Sequence, residues 1–196
     1  MGTMKNIAAC ALLISAGTCF YSNSAIAQAV PTTQAAELPS AIPLSGVRLV
    51  GQGVLRFLGF EIYRARLWVQ PGFDAGNYGA QPLALELTYH RDFSAEAIAK
   101  RSIEEMRRVG SFTAEQATRW QQALQAALPD VKSGDRLLGI HQPGVGAVFK
   151  MAGRVVGEVP DAEFSRLFFG IWLSPQTSEP GLRQDLLAAT RTAGQP

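Results

Sequence analysis

A run of alternating residues in the first half of the chain constrains the fold most. Seven consecutive positions divide into an apolar set and a largely charged set: Tyr63, Ala65, Leu67 and Val69 against Arg64, Arg66 and Trp68. Side chains of a β-strand point alternately to opposite faces of the sheet, so the apolar set predicts a face turned to a core. We therefore predict a long strand that ends at Val69 in a sheet covered on one side.

The residues just before this strand carry the best chemical signal. Gly51 and Gly53 allow a bend or hairpin, or the close approach of another backbone segment. Arg56 lies between Leu55 and Phe57, and an arginine in an apolar setting needs a counter-charge, a carbonyl or a bound anion. We therefore predict that Arg56 lines a cleft beside the strand, where it binds an anionic group.

The first 27 residues have the features of a secretory signal peptide. Lys5 precedes an apolar run at positions 7–20, and Ala25-Ile26-Ala27 is an A-x-A cleavage signal. Because the run is shorter than the ~20 residues that span a bilayer, we predict cleavage after Ala27 and no transmembrane span in the mature chain. The location is then periplasmic or secreted. Residues 28–43 are predicted to be a disordered linker and residues 44–190 the folded domain.

Composition narrows the classes of function. Cys10 and Cys19 both fall in the predicted signal peptide, which leaves no mature thiol for a disulfide, catalysis or metal binding. The formal net charge of +2 is too small to indicate nucleic acid binding. The only histidines are His90 and His141, and no metal-ligand spacing or phosphate-binding loop accompanies them. We expect no metal and no cofactor.

The rest of the chain alternates between strand and helix patterns in blocks. Period-two alternation predicts a strand over residues 83–91, and helical spacing predicts a helix from Ser94 to Gly110. A capping box at Thr113 to Gln116 begins a second helix, which Pro129 ends. Further elements are predicted as strands 136–141, 147–151 and 154–159 and helices 162–173 and 181–189. This order indicates an α+β fold with an antiparallel sheet and helices on one face.

Several motifs in this order resemble the bacterial chalcone isomerase-like proteins. The similarity extends from about residue 44 to about residue 187 and rests on their joint order: Gly51-x-Gly53-x-x-Arg56, Glu61-Ile-Tyr-x-Ala-Arg-Leu-Trp68, Tyr89-x-Arg-Asp92, Ser102-Ile-Glu-Glu-Met106, Gly134-Asp135, Pro143-Gly-x-Gly146, Gly157-Glu158 and Phe168-Phe-Gly-Ile-Trp-Leu173. The resemblance implies the open-faced β-sandwich of the chalcone isomerase superfamily.

The resemblance also implies two kinds of function. The superfamily contains plant isomerases that close a flavanone ring and relatives that bind fatty acids without catalysis. An arginine near the long strand faces the ligand in both, and Arg56 matches it. Tyr63 matches the tyrosine that joins this arginine on a fatty-acid carboxylate. The helix tyrosine and asparagine of the plant isomerases fall at Ile98 and Glu105, which disfavours flavanone formation.

Three hypotheses follow. The first is a non-catalytic periplasmic protein that binds a small amphipathic anion such as a fatty acid. Arg56 and Tyr63 bind the anionic group, and the tail of the ligand lies among apolar residues. The second is an intramolecular lyase of the chalcone isomerase type, in which Arg56 stabilises a phenolate or enolate. The third is a structural or partner-binding protein of the cell envelope, in which the arginines form only ion pairs and Tyr63 packs in the core.

Overall fold

The computed structural model describes residues 44–192, which form one sheet and a set of helices. The strands are β1 (Arg48–Phe57), β2 (Phe60–Val69), β3 (Leu83–Tyr89), β4 (Arg136–Gln142), β5 (Gly146–Met151) and β6 (Arg154–Val159). The helices are α1 (Ala95–Val109), α2 (Ala114–Ala127), α3 (Ala162–Leu173), α4 (Pro180–Leu186) and α5 (Ala188–Thr192), and a short 3-10 helix spans Ala75–Ala80. The predicted signal peptide and linker lie outside these residues and stay predictions.

The six strands form one antiparallel sheet in the order in which they occur in the chain, β1-β2-β3-β4-β5-β6. Short turns join β1 to β2, β4 to β5 and β5 to β6, whereas the 3-10 helix lies between β2 and β3, and α1 and α2 lie between β3 and β4. The predicted α+β class and the antiparallel sheet with a helical layer are confirmed. None of the helices between residues 44 and 192 combines the length and the apolar character needed to cross a bilayer.

One face of the sheet, here called the inner face, carries the main core. α3 packs on β4 and β5, α2 on β6, and α4 on β1 and β2, while α1 packs on α2 and α3. The predicted apolar set of β2 points to this face, and Ala65, Leu67 and Val69 are fully buried there. Burial of apolar surface at ~25 cal/mol per Å² makes this layer contact the main source of stability.

The opposite face is less polar than the alternation predicted. Trp68 and Ile140 are buried in a smaller apolar cluster on this side. Arg66 lies over the Trp68 ring at 5.0 Å and forms an ion pair with the buried Glu86 at 3.2 Å. Arg64 and Arg66 both lie on this face, but only Arg64 is exposed.

The turn between the first two strands lies at Leu58 and Gly59, which corrects the expected bend at Gly51 and Gly53. Both turn residues have positive φ, 49° for Leu58 and 81° for Gly59, as a two-residue hairpin requires. Gly51 and Gly53 lie inside β1, beside a shift of register between Leu49 and Gly51. The chain therefore reverses direction at Gly59, eight residues after Gly51.

The glycine pair serves the second purpose that the sequence allowed, a close backbone approach. A Cβ at Gly51 would lie 2.2 Å from the Asp185 carbonyl oxygen, and one at Gly53 would lie 2.6 Å from Leu182 Cδ1. These separations are below van der Waals contact, so α4 can lie on β1 only because two side chains are missing.

Helix starts agree with the predicted caps. Ser94 caps α1, and the reciprocal capping box of Thr113 and Gln116 begins α2. Asp92, just before α1, forms no ion pair with its neighbour Arg91. Its carboxylate instead contacts the Lys132 ammonium at 3.0 Å and accepts from a backbone N–H of the next loop, so it joins the start of α1 to the loop that precedes β4.

His141 connects β4, α3 and the 3-10 helix inside the core. Its Nε2 lies 2.9 Å from the Gly79 carbonyl oxygen, which can only accept, so Nε2 carries the proton. Its Nδ1 lies 2.6 Å from the Ser165 hydroxyl. Burial lowers the pKa of His141, and the hydrogen bond to Gly79 only partly opposes this. His141 therefore holds a structural position in the core.

We predict that Gly51→Ala destabilises the protein by about 1–3 kcal/mol, because the new methyl group meets the backbone of α4. Urea unfolding followed by circular dichroism measures the change. Gly181→Ala is the matched control, since no atom lies within 4 Å of the added Cβ in α4. This variant should be unchanged or more stable by about 0.5 kcal/mol. Equal midpoints for the two variants would contradict the close-approach role of Gly51.

We also predict a pH dependence of stability that originates at His141. Because its pKa is lower in the folded state, the unfolded state binds more protons as the pH falls below about 6.5, and stability decreases. His141→Gln should show a smaller loss of unfolding free energy between about pH 7 and about pH 5. His90→Gln controls for loss of a surface histidine. A His141→Gln slope equal to that of the parent would exclude this origin.

Candidate functional site

The best candidate site lies where the inner face meets α3, beside Tyr63 of β2. Trp172, near the end of α3, donates a hydrogen bond from Nε1 to the Tyr63 hydroxyl at 3.0 Å. Trp172 is buried and Tyr63 is half-buried. The pair therefore closes the layer interface at the border between core and solvent.

A small apolar void lies next to this pair. Its volume is ≈ 10 Å³, and its lining comes from β3, β4, β5 and α3: Leu85, Leu87, Leu137, Gly139, Phe149, Phe168, Phe169 and Trp172. This is room for about one water molecule, but the lining offers almost no polar atoms to hold one. A drug-sized ligand needs about 300–1,000 Å³, so any ligand at this place must enlarge the void.

The Tyr63 hydroxyl is a neutral donor at this interface. Burial raises its pKa well above the ordinary value, the hydrogen bond from Trp172 opposes the rise in part, and the negative charges of Glu179 and Glu105 add to it. Burial likewise raises the pKa of Tyr89, whose ring meets that of Tyr63 edge to face at 6.1 Å. The Tyr63 oxygen accepts from Trp172, and its own proton has no acceptor among residues 44–192.

Glu105 lies near Tyr63, but its carboxylate is engaged. It is buried on α1, with Arg101 Nη2 2.6 Å from Oε1 and Arg108 Nε 3.4 Å from Oε2. The Ser178 hydroxyl also donates to Oε2 at 2.7 Å, which joins α1 to the segment before α4. Two arginines thus neutralise the Glu105 charge.

Arg56 lies in a different setting from the one that the sequence indicated. Its side chain is 59% exposed, and its Nη2 lies 2.6 Å from Glu61 Oε1. Glu61 in turn lies 3.0 Å from His90 Nδ1. The expectation of an apolar enclosure is wrong because the flanking Phe57 is itself 64% exposed, beyond the region that the helices cover. The predicted anion-binding role of Arg56 is a separate question and stays a prediction.

A strand irregularity separates the two predicted site residues onto different faces of the sheet. Leu55 pairs with Tyr63, and after a register shift Arg56 pairs with Glu61. The extra residue of this bulge, Ile62, lies in β2, so β1 alternates normally and Arg56 points away from the face that carries Leu55 and Tyr63. No hydrogen bond or ion pair between described residues joins Arg56 to Tyr63. Tyr63 therefore lies at the layer interface, whereas Arg56 lies at the exposed end of the hairpin.

The sequence prediction missed Trp172 as a site residue. The helical pattern of α3 indicated an apolar face, and Phe168, one turn earlier, shares that face with Trp172. A tryptophan at this position needs a hydrogen-bond partner when buried, which was the available signal. The partner lies on a strand 109 residues earlier in the chain, so only the folded chain identifies it.

Comparisons with known proteins agree with this architecture. A family model described as chalcone isomerase-like matches residues 30–188. An uncharacterized protein of Haemophilus influenzae is 27% identical over 153 residues, which cover 78% of this chain and 74% of that protein. The crystal structure of a fatty-acid binding protein of Arabidopsis thaliana superposes with a TM-score of 0.59 at 14% identity, covering 81% of this chain and 95% of that one. At this identity the superposition shows a shared fold.

We predict that Tyr63→Phe destabilises the protein by about 1–3 kcal/mol, because it leaves the buried Trp172 N–H without an acceptor. Tyr89→Phe is the matched control, since no described residue forms a hydrogen bond with the Tyr89 hydroxyl, and its unfolding free energy should change little. Thermal unfolding at neutral pH measures both. Equal stability of the two variants would show that the Tyr63–Trp172 hydrogen bond contributes nothing.

Proposed function

Because the chain belongs to the chalcone isomerase-like family, we propose that it is a non-catalytic binding protein for a small amphipathic anion such as a fatty acid. The observation that carries this proposal is the Tyr63–Trp172 pair: the Tyr63 proton has no acceptor among residues 44–192, and Trp172 lines an apolar void. The fold shared with a fatty-acid binding protein supports the same class of ligand. The predicted signal peptide supports export to the periplasm.

The ligand headgroup binds at Tyr63 in this proposal. An oxygen inserted between Tyr63 and Trp172 accepts from the phenol and from the indole Nε1, so it replaces one internal hydrogen bond by two to the ligand. The phenol remains neutral at physiological pH because burial raises its pKa. A neutral donor avoids the cost of burying a charge without a ligand.

The ligand tail extends along the inner face into the enlarged void. The lining is formed by aliphatic and aromatic side chains, and each buried methylene contributes about 0.8 kcal/mol. Enlargement requires Phe168 to turn away from the sheet, while the Trp172 indole stays bonded to the headgroup. Tail burial therefore sets most of the affinity, and the headgroup sets the orientation.

Arg56 contributes at the rim as the residue that attracts the anion. Its guanidinium is exposed near the tip of the β1–β2 hairpin, and Glu61 accompanies it. An exposed ion pair of this kind contributes only about 0–1 kcal/mol, so an incoming carboxylate can compete with Glu61 for Arg56. Charges at a rim act mainly on the rate of association and on its salt dependence.

One observation favours a second candidate, a partner-binding protein of the envelope. Arg56 already has an internal carboxylate partner in Glu61, and the void beside Tyr63 is small. No described residue favours the lyase hypothesis, since Glu105 is held by arginines where the plant enzymes have a ketone donor. Turnover of a chalcone above the spontaneous rate, lost in Arg56→Ala, would favour the lyase instead.

We predict that purified protein binds long-chain fatty acids and that Tyr63→Phe binds them about tenfold more weakly, because one hydrogen bond to a charged group is lost. Tryptophan fluorescence and titration calorimetry measure the dissociation constants over a series of chain lengths. Tyr89→Phe, the control, should bind like the parent. For the parent and for this control, affinity should rise with each methylene of the fatty acid.

Arg56→Ala separates the rim from the interface in the same assay. It should weaken binding about threefold to tenfold at low salt, and the difference should shrink at high salt, whereas the Tyr63→Phe effect should not. Absence of binding at every chain length in the parent would exclude the proposed ligand class and favour the partner-binding candidate.

A further inference from the structure

The tip of the β1–β2 hairpin exposes an unusual amount of apolar surface. Phe57, Leu58 and Phe60 are 64%, 81% and 57% exposed, and they are consecutive apart from Gly59. Two aromatic rings and one leucine therefore project at a single convex turn, where they contribute little to the core. Such a cluster marks an interaction site more often than scattered exposed residues do.

The backbone of the turn does not explain the leucine. Leu58 has φ of 49° and Gly59 φ of 81°, a conformation for which Asn-Gly and Asp-Gly are preferred. A leucine is disfavoured there, since its Cβ crowds the following carbonyl. Leu58 is therefore unfavourable in two ways. Its side chain does not suit the positive φ of the turn, and its apolar surface is exposed to solvent.

Cationic side chains surround the tip. The Arg91 guanidinium lies over the Phe60 ring at 4.4 Å and forms no ion pair with any residue from 44 to 192. Arg56 is next to Phe57 and shares Glu61, and Lys132 is paired with Asp92, the neighbour of Arg91. The carboxylates of Asp130 and Asp135 also lie near Lys132, so Arg91 is the cation of the tip that has no acidic partner among residues 44–192.

We propose that this hairpin tip docks on the surface of an anionic lipid bilayer, where Phe57, Leu58 and Phe60 insert among the lipids and Arg91 contacts headgroup phosphates. Short apolar protrusions flanked by Arg or Lys bind membrane interfaces through buried apolar area and attraction to anionic lipids. A protein partner is the weaker alternative, because three side chains are far from the ~800 Å² per partner of a stable interface. This inference does not depend on the proposed ligand.

The test combines two components. One is the protein, purified in the form that cells produce, and the other is vesicles of phosphatidylglycerol and phosphatidylethanolamine. A tryptophan placed at the tip by Phe57→Trp should be quenched by lipids brominated in their acyl chains. Val145→Trp is the matched control, since Val145 is 59% exposed at the opposite end of the sheet, and its tryptophan should stay unquenched. Because quenching reports only on the position of the tryptophan, it is independent of any lipid binding by the apolar run at residues 7–20.

A second arm removes the apolar groups without disturbing the turn. Leu58→Asn introduces a residue that favours positive φ, and together with Phe57→Ser it should reduce vesicle partitioning about tenfold or more while stability is retained. Val145→Ser should partition like the parent. Failure of the parent to bind vesicles, equal quenching of the two tryptophans, or partitioning unchanged in the double variant would overturn the proposal. The proposal would also be overturned if the parent self-associates without lipid and the double variant does not, because the tip would then be an interface between copies of the protein.

Discussion

Burial of one face of the sheet under α3 and its neighbours is the interaction on which this structure depends. α3 contributes Phe164, Leu167, Phe169 and Leu173, all fully buried, and it packs on the central strands β4 and β5. Such a contact tolerates few polar groups, so those present, His141 and Ser165 among them, bond to one another or to backbone. The layer contact thus favours neutral side chains on the inner face, and charged pairs such as Arg66–Glu86 lie on the opposite face.

The same constraint explains why the candidate site is an uncharged one. At the layer interface the polar partners are a phenol and an indole, both of which bury a donor without burying a charge. The guanidinium that drew attention in the sequence lies instead at the rim, where solvent and Glu61 satisfy it. A ligand that extends from the core to the edge of the layer interface would therefore meet apolar residues and then neutral donors. Amphipathic molecules have this order of groups.

Much of the fold could be predicted because it depends on local chemistry. The caps at Ser94, Thr113 and Asp161 begin helices where they were expected, since a side chain that satisfies free N–H groups acts within three residues. The predictions that were wrong depend on distant partners. The environment of Arg56 was misjudged because Phe57 resembles a core residue in sequence and is a tip residue in the fold.

The sequence by itself determined the alternation of the strands, the starts of α1, α2 and α3, the α+β class and, through the joint order of its motifs, the family. The single helix predicted over residues 181–189 is wrong, because the chain forms two helices there, α4 and α5. Only the tertiary structure decided that Gly51 and Gly53 accommodate α4, that Trp172 bonds to Tyr63, and that Phe57, Leu58 and Phe60 project together beside Arg91. The physical reason is that periodicity and capping act over a few residues, whereas close approach, hydrogen-bond pairing and solvent exposure depend on which distant segments the sheet brings together.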